Sequence, residues 1–145
     1  AAIGLSQFNS LDSFIKIRIF NRNKIIKKII KDKRWRKQVS FIENDSNIKP
    51  SWFGLTMLLN KKYKNLKDKI FNNLDKLGIE NRPIISGNFL RQPAIKKYNL
   101  KQKSINFPNS NFVHDHGLFV GLKHKILTDK DVSKFTEIFF KAFKI

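Results

Sequence analysis

Between Leu5 and about Ile30, the residues Leu5, Phe8, Leu11, Ile15, Ile19, Ile26 and Ile30 recur at steps of three, four and seven. That is the period of a helix with one apolar face. The spacing predicts a long amphipathic helix as the first element. A stripe of this kind is buried only by packing on a second layer, so the rest of the chain has to supply one. The helix pattern has no preceding cap: "AAIGLSQF" reads as helix interior from Ala1 onward, and the expectation is a chain entered inside a larger protein.

Downstream, the period changes. "ENDSNIKP" (43–50) is polar and turn-rich and reads as a loop. "SWFGLTMLL" (51–59) is an apolar run bounded by turn signals, which fits a buried strand. Leu66, Ile70, Phe71, Leu74 and Leu77 place one apolar face on a helix over Tyr63–Leu77, with Gly78 as its C-cap. "IENRPII" (79–85) resumes extended character, because Arg82 precedes a proline and is pushed away from helical geometry. "FLRQPAIKKYNL" reads as a loop with one helical turn. Asn109 or Ser110 is expected to cap a short helix ending at Gly117, and "LFVGL" (118–122) to form a further strand. Thr128 and Asp131 stand at capping-box spacing ahead of Val132, Phe135, Ile138, Phe139 and Phe143, the stripe of a closing helix that packs on the sheet. A long helix, about three short strands and covering helices make an α/β or α+β layer arrangement.

The net charge of +19 raises the question of a polyanionic partner. Lys27, Lys28, Lys31, Lys33, Arg34, Arg36 and Lys37 surround Trp35, and "KKYK" (61–64) adds a second basic cluster. A basic nucleic-acid-binding module built on these segments is the alternative reading of the chain. Against it, Lys, Ile, Asn and Phe, all encoded by A/T-rich codons, make up half the sequence, so codon bias is a source of charge that needs no polyanionic partner. Lysine outnumbers arginine four to one, whereas bidentate readers of guanine and phosphate are arginines. The composition favours a solvated helix end and linker over a nucleic-acid partner.

Several chemistries lack their residues. There is no cysteine, hence no thiol nucleophile, disulfide or thiolate metal site. No apolar run approaches the roughly 18 residues of a membrane span, and the front of the chain lacks the block and cleavage site of a signal peptide. The chain is read as cytoplasmic. His114 and His116 flank Asp115, but on a helix neighbours two apart face different ways, so they read as a polar helix end and no metal site is assigned. No Walker loop, dinucleotide fingerprint, zinc-protease motif or serine elbow is present, and the 11 carboxylates include no closely spaced acid/base pair. No catalytic residue is assigned.

One stretch remains, "RPIISGNFLRQP" (82–93). Arginines are scarce here, and Arg82 and Arg91 bracket a Ser-Gly-Asn turn at a strand end. Arginine suits planar, bidentate pairing with carboxylate or phosphate, and loops leaving strands are where sites assemble. The same residues equally fit a structural ion pair at Arg82 and a solvent-facing Arg91.

The run "AAIGLSQFNSLDSFIKIR" resembles the segment of the DegT/StrS-type sugar aminotransferase family where the chain leaves the large cofactor domain. "SWFG", "LDKLGIENRP", "GNFLRQP" and "FPNSNFVHDHGLFVGLKHKILTDKDV" then follow in that family's order. The "SWFG" and "GNFLRQP" forms are most similar to the branch of nucleotide-linked 4-keto-6-deoxysugar 3-dehydratases, with perosamine-type aminotransferases close by. The resemblance implies the C-terminal small domain of the aspartate-aminotransferase (type I) fold of pyridoxal-5'-phosphate (PLP) enzymes. Residues 1–40 would be the connecting helix from a large domain, and 41–145 the small domain. The parent would be a homodimer acting on a nucleotide-diphosphate keto sugar, with glutamate as the usual amino donor. The PLP-bearing lysine, replaced by histidine in the dehydratases, would lie upstream of Ala1, so no cofactor-binding residue is expected here. Arg82, Asn88 and Arg91 would line the substrate pocket. Relatives often carry histidine where this chain has "SGN", which puts the polar contacts of that loop in doubt.

Overall fold

The computed structural model describes residues 2–99 and 106–144. The expected opening helix is two: α1 (Ala2–Phe8) and α2 (Leu11–Lys31). The break falls at Asn9 and Ser10, two residues whose short polar side chains compete with the helix for backbone groups. α2 closes at Asp32, whose amide donates to the Ile29 carbonyl. The turn after it is fixed by Arg34, whose guanidinium grips the Asp32 carboxylate at 2.9 Å and Glu137 at 2.6 Å.

Three strands follow in one antiparallel sheet: β1 (Val39–Phe41), β2 (Gly54–Leu59) and β3 (Gly117–Gly121), with β2 in the centre. Val39 pairs with Leu59, and Gly54 with Gly121. The strand expected over 79–85 is reduced to a single bridge, Arg82 to Phe119 on the outer edge of β3, with reciprocal backbone bonds of 3.0 and 2.9 Å. Pro83 has no N–H with which to continue that ladder. The third strand is instead β1, which the sequence pattern did not mark; the boundary expected at residue 40 falls inside it.

α3 (Lys67–Lys76) is preceded by a 3-10 segment over Lys61–Leu66 that replaces the first turn of the expected helix, and Asn60 caps that segment by accepting from the Lys62 amide. Gly78 takes the left-handed conformation (φ +88°) just past the helix end, as a C-terminal glycine does. A 3-10 turn over Phe89–Arg91 and α4 (Pro93–Lys97) form the short helical stretch; Leu100 and residues 101–105 lie outside the described residues. α5 (Pro108–His116) starts two or three residues earlier than expected, with Phe107 at the cap and Pro108 at the first helical position, where its missing N–H costs nothing. α6 (Asp129–Ala142) carries the full capping box, Thr128 and Asp131 each accepting from the other's backbone amide.

The alternation of β2 sends Leu55, Met57 and Leu59 into one core with Ile25 and Ile29 of α2, Ile70 and Leu74 of α3, and Val132, Phe139 and Phe140 of α6. α6 therefore packs between α2 and α3, and the three helices cover one face of the sheet. α2 is tied to the β3–α6 connection by Asn21, which is fully buried: its amide donates to the Lys123 and Lys125 carbonyls at 3.0 and 2.8 Å, and its oxygen accepts from the Leu127 amide at 2.9 Å. α1 buries nothing: Ile3, Leu5 and Phe8 are 84, 76 and 69% exposed.

Trp35 is stacked on Phe41 at 5.9 Å and packed against the core, so the aromatic within the basic segment 27–37 is not free to stack on a base. No helix among the described residues is long and apolar enough to cross a membrane.

Candidate functional site

The loop from Glu80 to Pro93 is held on β3 by Arg82 and, further along, by α5. Arg82 sits on the β3 edge through its backbone, which leaves the side chain directed by its surroundings. Its guanidinium meets the Glu80 carboxylate at 3.1 Å and lies 5.9 Å from the centre of the Phe119 ring, and both charged groups are well exposed. It borders a cleft of about 430 Å³ together with Glu80, Val120, Gly121 and Lys123. A half-exposed guanidinium with one flexible carboxylate partner can exchange that partner for a ligand's phosphate or carboxylate.

Asn88 is placed differently. It is 2% exposed, its side-chain oxygen caps the 3-10 turn by accepting from the Leu90 amide at 2.9 Å, and its amide donates to the Asn111 side chain at 2.8 Å. Its backbone N–H donates to Nδ1 of His114 at 3.2 Å. An accepting Nδ1 requires a neutral imidazole. Burial, followed by the nearby Arg91 charge, lowers the His114 pKa and keeps it neutral. Gly87 is required between these contacts: it has φ +63°, and a Cβ there would come within 2.7 Å of Nδ1 and 2.8 Å of Cα of His114.

Arg91 does not stand in solvent alone. Its guanidinium meets Asp115 at 2.6 Å, and Lys64 approaches the other oxygen of the same carboxylate at 3.0 Å. Half-buried Lys67 donates to the His114 carbonyl at 2.8 Å, near the C-terminus of α5 where a cation is favoured. These residues line a second cleft of about 800 Å³ that Arg82 does not reach. The structure thus brings Asn88 and Arg91 together through α5 and places Arg82 at a different opening. Lys67 escaped the sequence reading, Lys64 entered it only within the basic cluster "KKYK", and His114 and Asp115 were read as a polar helix end. The available signal was that Asp115 is one of just 11 acids among 30 basic residues. Among the described residues, no group of three or more His, Cys, Asp or Glu side chains is arranged to hold a metal ion.

The hydrogen bond from Arg91, reinforced by Lys64 and opposed by burial, holds the Asp115 carboxyl down at about 2. A depressed acid pKa stabilises the fold above the ordinary carboxylate value near 4, and that contribution is lost as pH falls towards 2. Arg91 is 39% exposed, so solvent screening reduces the effect to about 1 kcal/mol. Urea unfolding of the wild type and of Asp115→Asn should therefore differ by that amount at pH 6 and converge near pH 2. A difference unchanged by acid would remove the ion pair from the account.

The profile of the DegT/DnrJ/EryC1/StrS aminotransferase family matches residues 1–139. GDP-4-keto-6-deoxy-D-mannose 3-dehydratase of Escherichia coli is 30% identical over 137 residues, covering 94% of this chain and 34% of the relative. The solved structure of an E. coli GDP-4-keto-6-deoxy-D-mannose 3-dehydratase with bound hydrated PLP superposes with a TM-score of 0.77 at 29% identity, over 95% of this chain and 34% of that one. A Helicobacter pylori aminotransferase of pseudoaminic acid biosynthesis reaches 0.78 at 17% identity, over 99% and 36%, which shows the shared fold. The chain spans about a third of the length of the curated relatives it matches. With nearly its whole length inside the profile, the chain belongs to the DegT/DnrJ/EryC1/StrS aminotransferase family.

Proposed function

We propose that this chain is the C-terminal small domain of a PLP-dependent enzyme acting on a nucleotide-diphosphate 4-keto-6-deoxy sugar, a 3-dehydratase or a sugar aminotransferase using glutamate. The carrying observation is the match over 94% of the chain to a GDP-4-keto-6-deoxy-D-mannose 3-dehydratase. The parent enzyme is a cytoplasmic homodimer serving deoxysugar or aminosugar synthesis for surface polysaccharide of the lipopolysaccharide type. Residues 1–40 connect to the rest of that enzyme and 41–145 form the small domain, although α2 also lends Ile25 and Ile29 to the core. The exposed Ile3, Leu5 and Phe8 of α1 are consistent with a covering domain.

The described residues around Lys67 and Asp115 do not make a PLP site. Lys67, the lysine that burial drives below its usual pKa, has its ammonium on the His114 carbonyl. Asp115 beside it is taken by Arg91 and Lys64, so neither a free amine nor a carboxylate for the ring nitrogen is offered there. PLP belongs to the remainder of the parent enzyme, and this chain's part is recognition. Arg82 presents a two-pronged donor to the anionic or oxygen-rich substrate, Asn88 fixes the loop from beneath, and Arg91 flanks it.

The test is a chimera in which this chain replaces the matching third of the E. coli dehydratase. The chimera should carry PLP and consume GDP-4-keto-6-deoxy-D-mannose, while the 145-residue chain mixed with PLP shows no absorbance of lysine-bound cofactor. Such a band from the chain alone would overturn the placement of the cofactor. A PLP-loaded chimera inert towards the sugar nucleotide would overturn the substrate class.

A further inference from the structure

The C-terminal half of α2, the turn after it and the start of α6 enclose a groove of about 680 Å³ that has no part in the reading above. Six cations line it: Lys24, Lys27, Lys28, Lys31, Lys33 and Arg34. Two are paired. Lys24 Nζ meets Asp129 at 2.9 Å and donates to the Leu127 carbonyl, and Arg34 is locked between Asp32 and Glu137. These contacts occupy Asp32 and Asp129, the two acids of the lining.

The other four, Lys27, Lys28, Lys31 and Lys33, are exposed and form no salt bridge among the described residues. Lys24 and Lys28, and Lys27 and Lys31, are four apart on α2, where like charges repel. An A/T-rich coding bias would raise the number of lysines everywhere in the chain. It does not place four lysines that form no salt bridge around a single concavity whose two acids are already paired.

We propose that this groove binds a linear polyphosphate, three or more linked phosphates, through Lys27, Lys28, Lys31 and Lys33. Ammonium groups are compact point charges that serve phosphate oxygens without demanding a planar partner. No aromatic side chain lines the groove, so nothing there stacks on a base. Its volume is that of a small-molecule site, and its concavity suits a compact chain of charge better than a flat bilayer.

The probe is inorganic tripolyphosphate, titrated calorimetrically into the 145-residue chain, with orthophosphate, oligothymidylate and phosphatidylglycerol vesicles as parallel arms. Tripolyphosphate should bind at one site and at least about tenfold more tightly than orthophosphate, since each further charge-assisted contact adds about 1.5 kcal/mol or more. Lys27→Gln with Lys31→Gln should weaken it about tenfold or more. Lys69→Gln with Lys76→Gln removes the same charge from exposed sites on α3 and should leave it unchanged. All four lysines are exposed, so both double variants keep the fold, which circular dichroism verifies. Equal weakening by the two pairs would mean net charge alone and overturn the site. So would absence of binding, or tighter binding of oligothymidylate or vesicles than of tripolyphosphate.

Discussion

Asn21→Leu is expected to cost about 3 kcal/mol and to lower the melting temperature by about 10 °C, although leucine matches asparagine closely in size. The side chain is fully buried and its three hydrogen bonds all reach the connection between β3 and α6, more than 100 residues away. Leucine would leave two carbonyls and one amide facing an apolar group, and an unmet buried partner costs more than a made bond contributes. Asn21→Asp is diagnostic: it keeps the acceptor for the Leu127 amide but turns a carboxylate towards the Lys123 and Lys125 carbonyls, so it should be no better than leucine. Asn23→Ala, at an exposed position two residues on, should stay within about 0.5 kcal/mol. Thermal melts of the three variants check this. A loss at Asn21 no larger than at Asn23 would show that the α2 tie does not hold the fold.

The second large effect is on activity and belongs to the proposed substrate role. In the chimeric enzyme, Arg82→Lys should reduce kcat/KM about 100-fold, roughly 2.7 kcal/mol of transition-state binding, because an ammonium cannot reproduce a two-pronged contact. Stability should hardly change. The link to β3 runs through the Arg82 backbone, and its ion pair with Glu80 joins side chains that are 50 and 85% exposed, a kind of contact worth at most about 1 kcal/mol. The split between the two measurements separates recognition from support. An activity loss matched by an equal loss of stability would mean that Arg82 only braces the sheet edge.

The apolar stripes of α2, α3 and α6 were legible because a helix repeats its face every three to four residues, and the Thr128–Asp131 capping box because both partners lie within one turn. β2 and β3 were legible as apolar runs between turn signals. Where a boundary depended on one short residue pair, the pattern was too coarse. Asn9 and Ser10 divide a stripe that continues through them, and Asn60 turns the first residues of the third helix into a 3-10 segment. β1 has only three residues and emerges from a basic turn, so it carries no alternation long enough to register.

The loop containing Arg82, Asn88 and Arg91 was singled out by arginine scarcity and its glycine turn, but what each residue does there was not. Asn88 could not be known to lie beneath the loop without Asn111 and His114, nor Arg91 to be paired without Asp115. The sequence by itself determined the helical faces, the layered arrangement and the family, because periodicity, caps and motif order are properties of neighbours in the chain. Only the tertiary structure decided which short segment became the third strand, that Arg82 and Arg91 face separate clefts, and that the start of α6 closes the lysine-bearing end of α2 into a groove. Those depend on groups brought together across 16 to more than 100 residues, and such contacts leave no local pattern to read.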